Sequence, residues 1–414
     1  MLLSTLCLAL LSVAGKLAAQ ALPSADHAQL SVITFGRGDQ VHQYFGHNAL
    51  LVESPELPEP QVINYGMFSF GPGMIPKFLK GRLEFWVGET EYAWTVASYT
   101  RANRDVRVSE LNLDRDQREI ILRKAAYDLE PEHRVYLYDH YRDNCSTRLR
   151  DLLDRALHGE VRRAWSPRAR FDLRGQTQRY TQHDPLIEWL MMLGLNDRVD
   201  RPMAVWDEAF LPEEFERLLD GVTYPDGRGA RVPLVRRKRV LFHAERAALG
   251  AEPAPRWPYG LAIGIALSGC ALLLAERVRV QERGFYRFAF ASLVAAIGLA
   301  IGLLGSLIAC LWAFTDHTVA YHNENLCLAN PLTLLAGCAA LSLLGRSRRA
   351  ERWNYALWVV LAASTALWLA LKLSLAAFDQ DVTLSAASFV PINFSLAWAA
   401  HRIWTRPSYG EPGA

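Results

Sequence analysis

The chain has 414 residues, 51% of them hydrophobic and 21% charged, with a formal net charge of +2 at pH 7. A charge this close to balance says nothing about nucleic acid, and the basic residues are spread out or flank apolar runs, so the chain carries no nucleic-acid signature. The averages conceal two materials joined end to end: a polar stretch from about 22 to 255, rich in Arg, Asp and Glu, and long apolar runs from about 257 onward.

Residues Met1 to Ala14 form a short apolar run, and Ala19-Gln20-Ala21 follows as a small-residue cleavage site. Residues 1–21 therefore read as a secretory signal peptide, with an uncleaved anchor helix as the alternative. Either one exports the polar region, residues 22–255. Of the six cysteines, Cys7 lies in the signal, Cys270, Cys310 and Cys338 lie in apolar runs, and Cys327 lies in a short loop. The exported region is left with Cys145 alone. A lone thiol in an oxidising compartment is a liability unless it is buried or used.

Leu30–Gly36, His47–Glu53 and Gln61–Gly66 read as strands, the second opening directly from Phe45-Gly46. Arg82–Val87, Tyr92–Tyr99 and Arg107–Leu113 read as further strands. Asp114 caps a helix running to about Leu129. Val135–Tyr138 is a short extended segment leading to Cys145. A helix follows over about Ser146–Leu157, with Leu149, Leu152, Leu153, Ala156 and Leu157 on one stripe. Residues 160–255 read as mostly helical and irregular, with Pro185–Leu193 and Pro212–Leu219 each starting on a proline. The basic run Arg236-Arg237-Lys238-Arg239 reads as a solvated helix face, or as a contact for anionic head groups.

Five apolar spans follow at about 258–275, 286–314, 328–345, 354–377 and 383–404, each near or above the length that crosses a bilayer. The connectors at 276–287 and 346–352 are basic, and Arg402 and Arg406 stand just ahead of the tail (407–414). Residues 315–327 and 378–382 carry Asp and Glu but no Lys or Arg. By the positive-inside rule the basic connectors are cytoplasmic, which puts the N-terminal region outside. The expected organisation is a signal peptide, an exported domain (22–255) and a five-helix membrane domain (256–406).

The stretch Tyr141-Arg142-Asp143-Asn144-Cys145-Ser146-Thr147-Arg148 puts the exported thiol where a loop enters a helix. There the helix dipole favours thiolate, and free backbone N–H groups favour an oxyanion. A buried, inert thiol is the plain alternative. A nucleophilic cysteine needs a base, and histidine is the usual one. His47 stands at the mouth of a strand after a glycine, but His42 and His140 compete, and position alone does not choose among them. In the membrane half, the loop from Asp316 to Cys327 concentrates polar groups. His317, His322, Asn323 and Asn325 suit substrate or head-group recognition there, or a solvated connector whose Asn residues cap helices. The His317, His322 and Cys327 spacing matches no closed zinc pattern.

These residues together resemble the bacterial Lnb family of lipoprotein N-acyltransferases. The matching stretches are Tyr44-Phe45-Gly46-His47, Ile63-Asn64-Tyr65-Gly66-Met67-Phe68, Lys77-Phe78-Leu79-Lys80-Gly81, Leu111-Asn112-Leu113, Tyr136-Leu137-Tyr138-Asp139, Asp143 to Asp151, Trp206 to Pro212 and the His317–Pro331 loop. The resemblance implies an α+β, circularly permuted papain-like periplasmic domain ahead of a five-helix transmembrane bundle, in a multi-pass protein of the bacterial inner membrane. It implies Cys145 as nucleophile and His47 as base, with Asn64, or Tyr65 in its place, orienting the histidine. Asn144 and the Cys145 N–H would hold the oxyanion, with Asp143 and Arg148 in support. The implied reaction moves a fatty acyl chain through a Cys145 thioester to the N-terminal amine of a lipoprotein. The donor would be a membrane phospholipid or the lipoprotein's own diacylglyceryl group, and no cofactor or metal is called for. A membrane-tethered peptidase or amidase, and a non-enzymatic envelope binding protein, are the alternatives.

Overall fold

The computed structural model describes residues 22–69, 73–281 and 283–406. The expected signal peptide (1–21) and cytoplasmic tail (407–414) lie outside the described residues. Two compact units divide the chain. One takes residues up to 74, 83–170 and 203–247, and the other takes 75–82, 171–202 and 248 onward. The division is thus not a single cut near residue 255, because two segments of the polar region cluster with the apolar helices.

The first unit is built on a seven-stranded antiparallel sheet. Its strands are β1 (Gln29–Phe35), β2 (His47–Glu53), β3 (Gln61–Met67), β4 (Glu84–Glu91), β5 (Val106–Leu111), β6 (Val135–Leu137) and, after a small hairpin of β7 (Thr223–Pro225) and β8 (Arg231–Pro233), β9 (Val235–Phe242). The order across the sheet is β6-β4-β3-β2-β1-β5-β9. The central strands are buried on both faces, so they read as continuous apolar runs. One face sets Leu30, Val32, Leu50, Val52, Ile63 and Tyr65 against two helices. These are α2 (Arg115–Leu129), which brings Ile121, Leu122 and Ala125, and α3 (Cys145–Ala156), which brings Leu149, Leu152, Leu153 and Ala156. The other face sets Ile33, Phe35, Ala49, Leu51, Val62, Val106 and Val108 against α1 (Tyr92–Arg101).

Two expectations are corrected. Tyr92–Tyr99 is helix, not strand. Its aromatic and β-branched content favours a strand, but Tyr92, Val96 and Tyr99 stand at i, i+4 and i+7 and pack together on the sheet. The basic run at 236–239 belongs to edge strand β9, not to a helix. Arg236, Arg237 and Lys238 are exposed along that edge, where charge discourages pairing with another chain.

The second unit contains five helices long and apolar enough to cross a membrane: Trp257–Gln281, Gly284–Phe314, Asn325–Gly345, Arg348–Ser374 and Thr383–Trp404. Small residues let them pack closely. A Cβ built on Gly298 would lie 2.6 Å from the Gly337 Cα. Asn393 ties three of the spans together, its amide donating to the Leu328 carbonyl (3.0 Å) and to Thr365 Oγ1 (2.9 Å).

Candidate active site

Helix α3 begins at Cys145 because Asn144 caps it. The Asn144 Oδ1 accepts from the backbone N–H groups of Ser146 and Thr147, each at 2.9 Å, and Thr147 Oγ1 accepts from the Asn144 N–H at 2.8 Å. Cys145 is the first helical residue and is 8% exposed. Its own N–H has no hydrogen-bond partner among the described residues. The start of the helix is fastened to the sheet from the next position. Ser146 Oγ donates to Asn48 Oδ1 at 2.7 Å, and Asn48 Nδ2 donates to Thr34 Oγ1 at 2.8 Å.

His47 opens β2, directly after a left-handed turn at Gly46 (φ +84) where a Cβ would sit 2.9 Å from the Phe35 carbonyl oxygen. Its ring lies parallel to those of Phe35 and Tyr99, with centroids at 5.9 and 6.4 Å. Antiparallel register sets Ala49 opposite Asn64, so His47 and Asn64 share the α1 face of the sheet. His47 Nε2 lies 3.1 Å from Asn64 Oδ1. The Asn64 amide is oriented by its Nδ2, which donates to the Val62 carbonyl at 3.3 Å, an acceptor only, and to Thr90 Oγ1 at 2.8 Å. The network continues to Thr95 Oγ1, 2.8 Å from Thr90 Oγ1 and 2.7 Å from the Glu91 carbonyl. Asn64 Oδ1 therefore accepts from His47 Nε2–H, and the remaining ring nitrogen, Nδ1, is left for the thiol.

Burial pushes the Cys145 thiol up. The charge of His47, a hydrogen bond from it, the Asn48 N–H and the Ser146 hydroxyl together outweigh burial and bring the thiol below its ordinary value. His140, the sequence neighbour, does not compete. It sits among Phe45, Tyr141 and Phe210, its Nε2 is buried without a hydrogen-bond partner, and burial lowers its pKa to about 4. Tyr65 faces the opposite side of the sheet from Asn64, and its hydroxyl donates to Asp128 Oδ2 at 3.2 Å.

Three expected supporting roles do not fit. Both amide protons of Asn144 are given to the carbonyls of His140 and Phe210 (2.8 Å each), so its side chain holds the helix and has no donor for an oxyanion. Asp143 and Arg148 form a two-bond pair with each other, at 2.6 and 2.9 Å, and the Arg148 guanidinium lies over the Tyr136 ring. They brace the loop that delivers Cys145, and neither lines the cavity.

Cys145, His47 and Asn64 open onto a cavity of about 410 Å³. Met67, Phe68, Phe85 and Trp94 form an apolar wall, with Trp94 60% exposed at the rim. Gly66, at φ +98 in a β-bulge, keeps the space beside the thiol open, since a Cβ there would approach the Cys145 Cβ to 4.0 Å. Arg104 also lines the cavity although it is only 5% exposed.

In the second unit the four loop residues do not converge. His317 Nε2 lies 2.9 Å from the Phe78 carbonyl, while the exposed His322 sits against Trp312. Asn323 and Asn325 are buried, and their amides donate to the Leu193 carbonyl at 2.9 Å each. The two asparagines thus hold the loop to helix Pro185–Gly194 and present nothing to a substrate. Glu324 between them accepts from Trp368 Nε1 at 3.0 Å, Lys372 Nζ at 3.1 Å and the Gln380 N–H at 2.9 Å.

Sequence reasoning passed over Asn48, Thr90, Tyr99 and Arg104. Only Tyr99 carried a local signal, the helical spacing of Tyr92, Val96 and Tyr99. Asn48 and Thr90 reach the site through strand register, Arg104 from the loop between α1 and β5, and none has a local mark.

Residues 18–174 match the family described as the Lnb N-terminal periplasmic domain, and residues 268–397 match the Lnb transmembrane domain. Comparison with curated proteins and with solved structures gives no match. The two family matches fall one on each side of the change in composition and together span most of the chain, and on that ground the protein belongs to the Lnb family.

Proposed function

We propose that the protein is a cysteine-dependent acyltransferase that N-acylates bacterial lipoproteins at the inner membrane. The observation that carries this is the line Cys145, His47, Asn64 beside an apolar-walled cavity. It stands in an Lnb-family chain with five helices suited to a bilayer. The order histidine, asparagine, cysteine along the chain, with the first two on paired strands and the third at a helix start, supports a circularly permuted papain-like arrangement.

The chemistry follows from the parts. The Cys145 thiolate adds to an acyl ester carbonyl, and the free Cys145 N–H at the helix start stabilises the oxyanion. Collapse breaks the ester C–O bond, and the alkoxide leaves with a proton from His47. The acyl group is then a Cys145 thioester. An amine, the N-terminal cysteine of a diacylglyceryl lipoprotein, attacks that thioester while His47 takes its proton. Asn64 keeps the His47 ring in plane and fixes its tautomer throughout. A peptidase would use the same three residues, but it has no need of five spans.

The test is mass spectrometry of lipoprotein N-termini in cells that depend on this protein. Wild type yields N-acylated termini and a trappable acyl-thioester on Cys145, and Cys145→Ala yields neither. Undiminished N-acylation with Cys145→Ala rules the transferase out.

A further inference from the structure

Arg104 is a buried cation without an anion. It is 5% exposed, and its Nε donates to the Gly36 carbonyl at 2.8 Å. Its guanidinium carbon lies 4.6 Å from the centre of the Tyr99 ring. No carboxylate pairs with it among the described residues, and its two terminal nitrogens have no hydrogen-bond partner there. The groups that act on its charge are Tyr99, Arg246, Cys145, Glu213 and His42. Glu213 lies nearer other guanidinia, at 3.7 Å from Arg37 and 3.6 Å from Arg107. Arg246 pairs with Asp39 at 2.5 Å. A guanidinium stays charged when buried, and a buried charge is retained at a cost unless something neutralises it. Arg104 also lines the cavity that holds the thiol. Met67, Phe68, Phe85 and Trp94 give the same cavity an apolar wall.

We infer that Arg104 is the receptor for the phosphodiester of a glycerophospholipid acyl donor, seated so that the acyl ester reaches Cys145. The inference rests on the acyltransferase reading above and decides the donor class within it. A glycerophospholipid carries a phosphodiester a few bonds from its ester carbonyls, whereas the diacylglyceryl group of a lipoprotein carries no charge there. The planar fork of arginine suits two phosphate oxygens at once. In the step so assigned, the Cys145 sulfur–acyl bond forms and the glycerol oxygen–acyl bond breaks. The lysophospholipid departs with the proton from His47, its phosphate still held by Arg104.

The experiment uses the full chain in mixed micelles and follows thioester formation at Cys145 by intact mass. The donors are phosphatidylglycerol, phosphatidylethanolamine and a diacylglycerol with the same chains. Wild type is expected to acylate from both phospholipids far faster than from diacylglycerol. Arg104→Gln is expected to shrink that ratio by about 30-fold or more, the usual loss when one partner of a buried charged pair is removed. Arg104→Lys, which keeps the charge but not the fork, should fall between. Alkylation of Cys145 by iodoacetamide in each variant reports whether the site is still assembled. Equal rates from diacylglycerol in wild type overturn the inference, as does a proportional fall with all donors in Arg104→Gln. Inorganic phosphate that slows acylation from diacylglycerol as strongly as glycerophosphoglycerol does would mark a free-phosphate site and also overturn it. If none of the three donors gives a thioester while Cys145-dependent N-acylation persists in cells, this inference alone is overturned; if N-acylation is undiminished with Cys145→Ala, the acyltransferase reading fails and this assignment falls with it.

Discussion

At Cys145, burial and electrostatics oppose each other, and electrostatics prevails. The thiol is buried, which alone would make it a poor nucleophile, yet His47, the Asn48 N–H and the Ser146 hydroxyl draw its pKa below the ordinary value. Because the depressed group is an acid, its reactive thiolate is present above the lowered pKa and lost below it. The rate of iodoacetamide alkylation should therefore rise with pH through an inflection below that of an ordinary cysteine thiol. His47→Ala removes the larger opposing contribution and leaves the desolvation. The inflection should then move above that value and the rate at pH 7 should fall at least about tenfold. An unchanged inflection in His47→Ala would mean that the two residues do not interact. Which histidine serves the thiol was not legible from residue type or spacing. His140 is closer in sequence, but its environment is an aromatic cage that keeps it neutral.

Strands and helices contribute by register. β2 and β3 run antiparallel, and only the Ala49–Asn64 pairing puts the Asn64 amide within reach of the His47 ring. A one-residue slip would send Asn64 to the α2 face and Tyr65 to the α1 face. The β4 end and the first turn of α1 then hold the amide through Thr90 and Thr95. Thr90→Val leaves the Asn64 Nδ2 with only its longer bond to the Val62 carbonyl (3.3 Å) and loosens the amide. Acyl-thioester formation should fall about fivefold, the equivalent of one hydrogen bond of about 1 kcal/mol. The Cys145 alkylation inflection should shift with it, and Thr90→Ser should restore both. A fall in rate with no shift in the inflection would assign Thr90 to the fold alone. Helix α3 was legible from its apolar stripe. Helix α1 was not, because its aromatic and β-branched residues argue for a strand until the sheet face they pack on is known.

Across the molecule, close helix contact in the membrane unit rests on glycines whose role depends on their neighbours. Gly298→Leu forces a side chain against the Gly337 backbone, 2.6 Å from where its Cβ would begin. The expected destabilisation is about 3 kcal/mol, read as a lower midpoint in a detergent thermal melt. Gly269→Leu, which meets nothing within 4 Å, should leave the midpoint unchanged and serves as the control. The sequence by itself determined the polar-then-apolar organisation, five spans, the helix that follows Cys145 and most strands of the sheet. Hydropathy, periodicity and caps are local, and each can be read from a dozen neighbouring residues. Only the tertiary structure decided which histidine faces the thiol, that Asn144 is a cap and not an oxyanion donor, and that Asn323 and Asn325 are buried ties. It also decided that a basic run is an edge strand and that Arg104 stands without an ion-pair partner in the cavity wall. These depend on which distant residues the sheet register and helix packing bring within a few ångströms, and no local pattern encodes that.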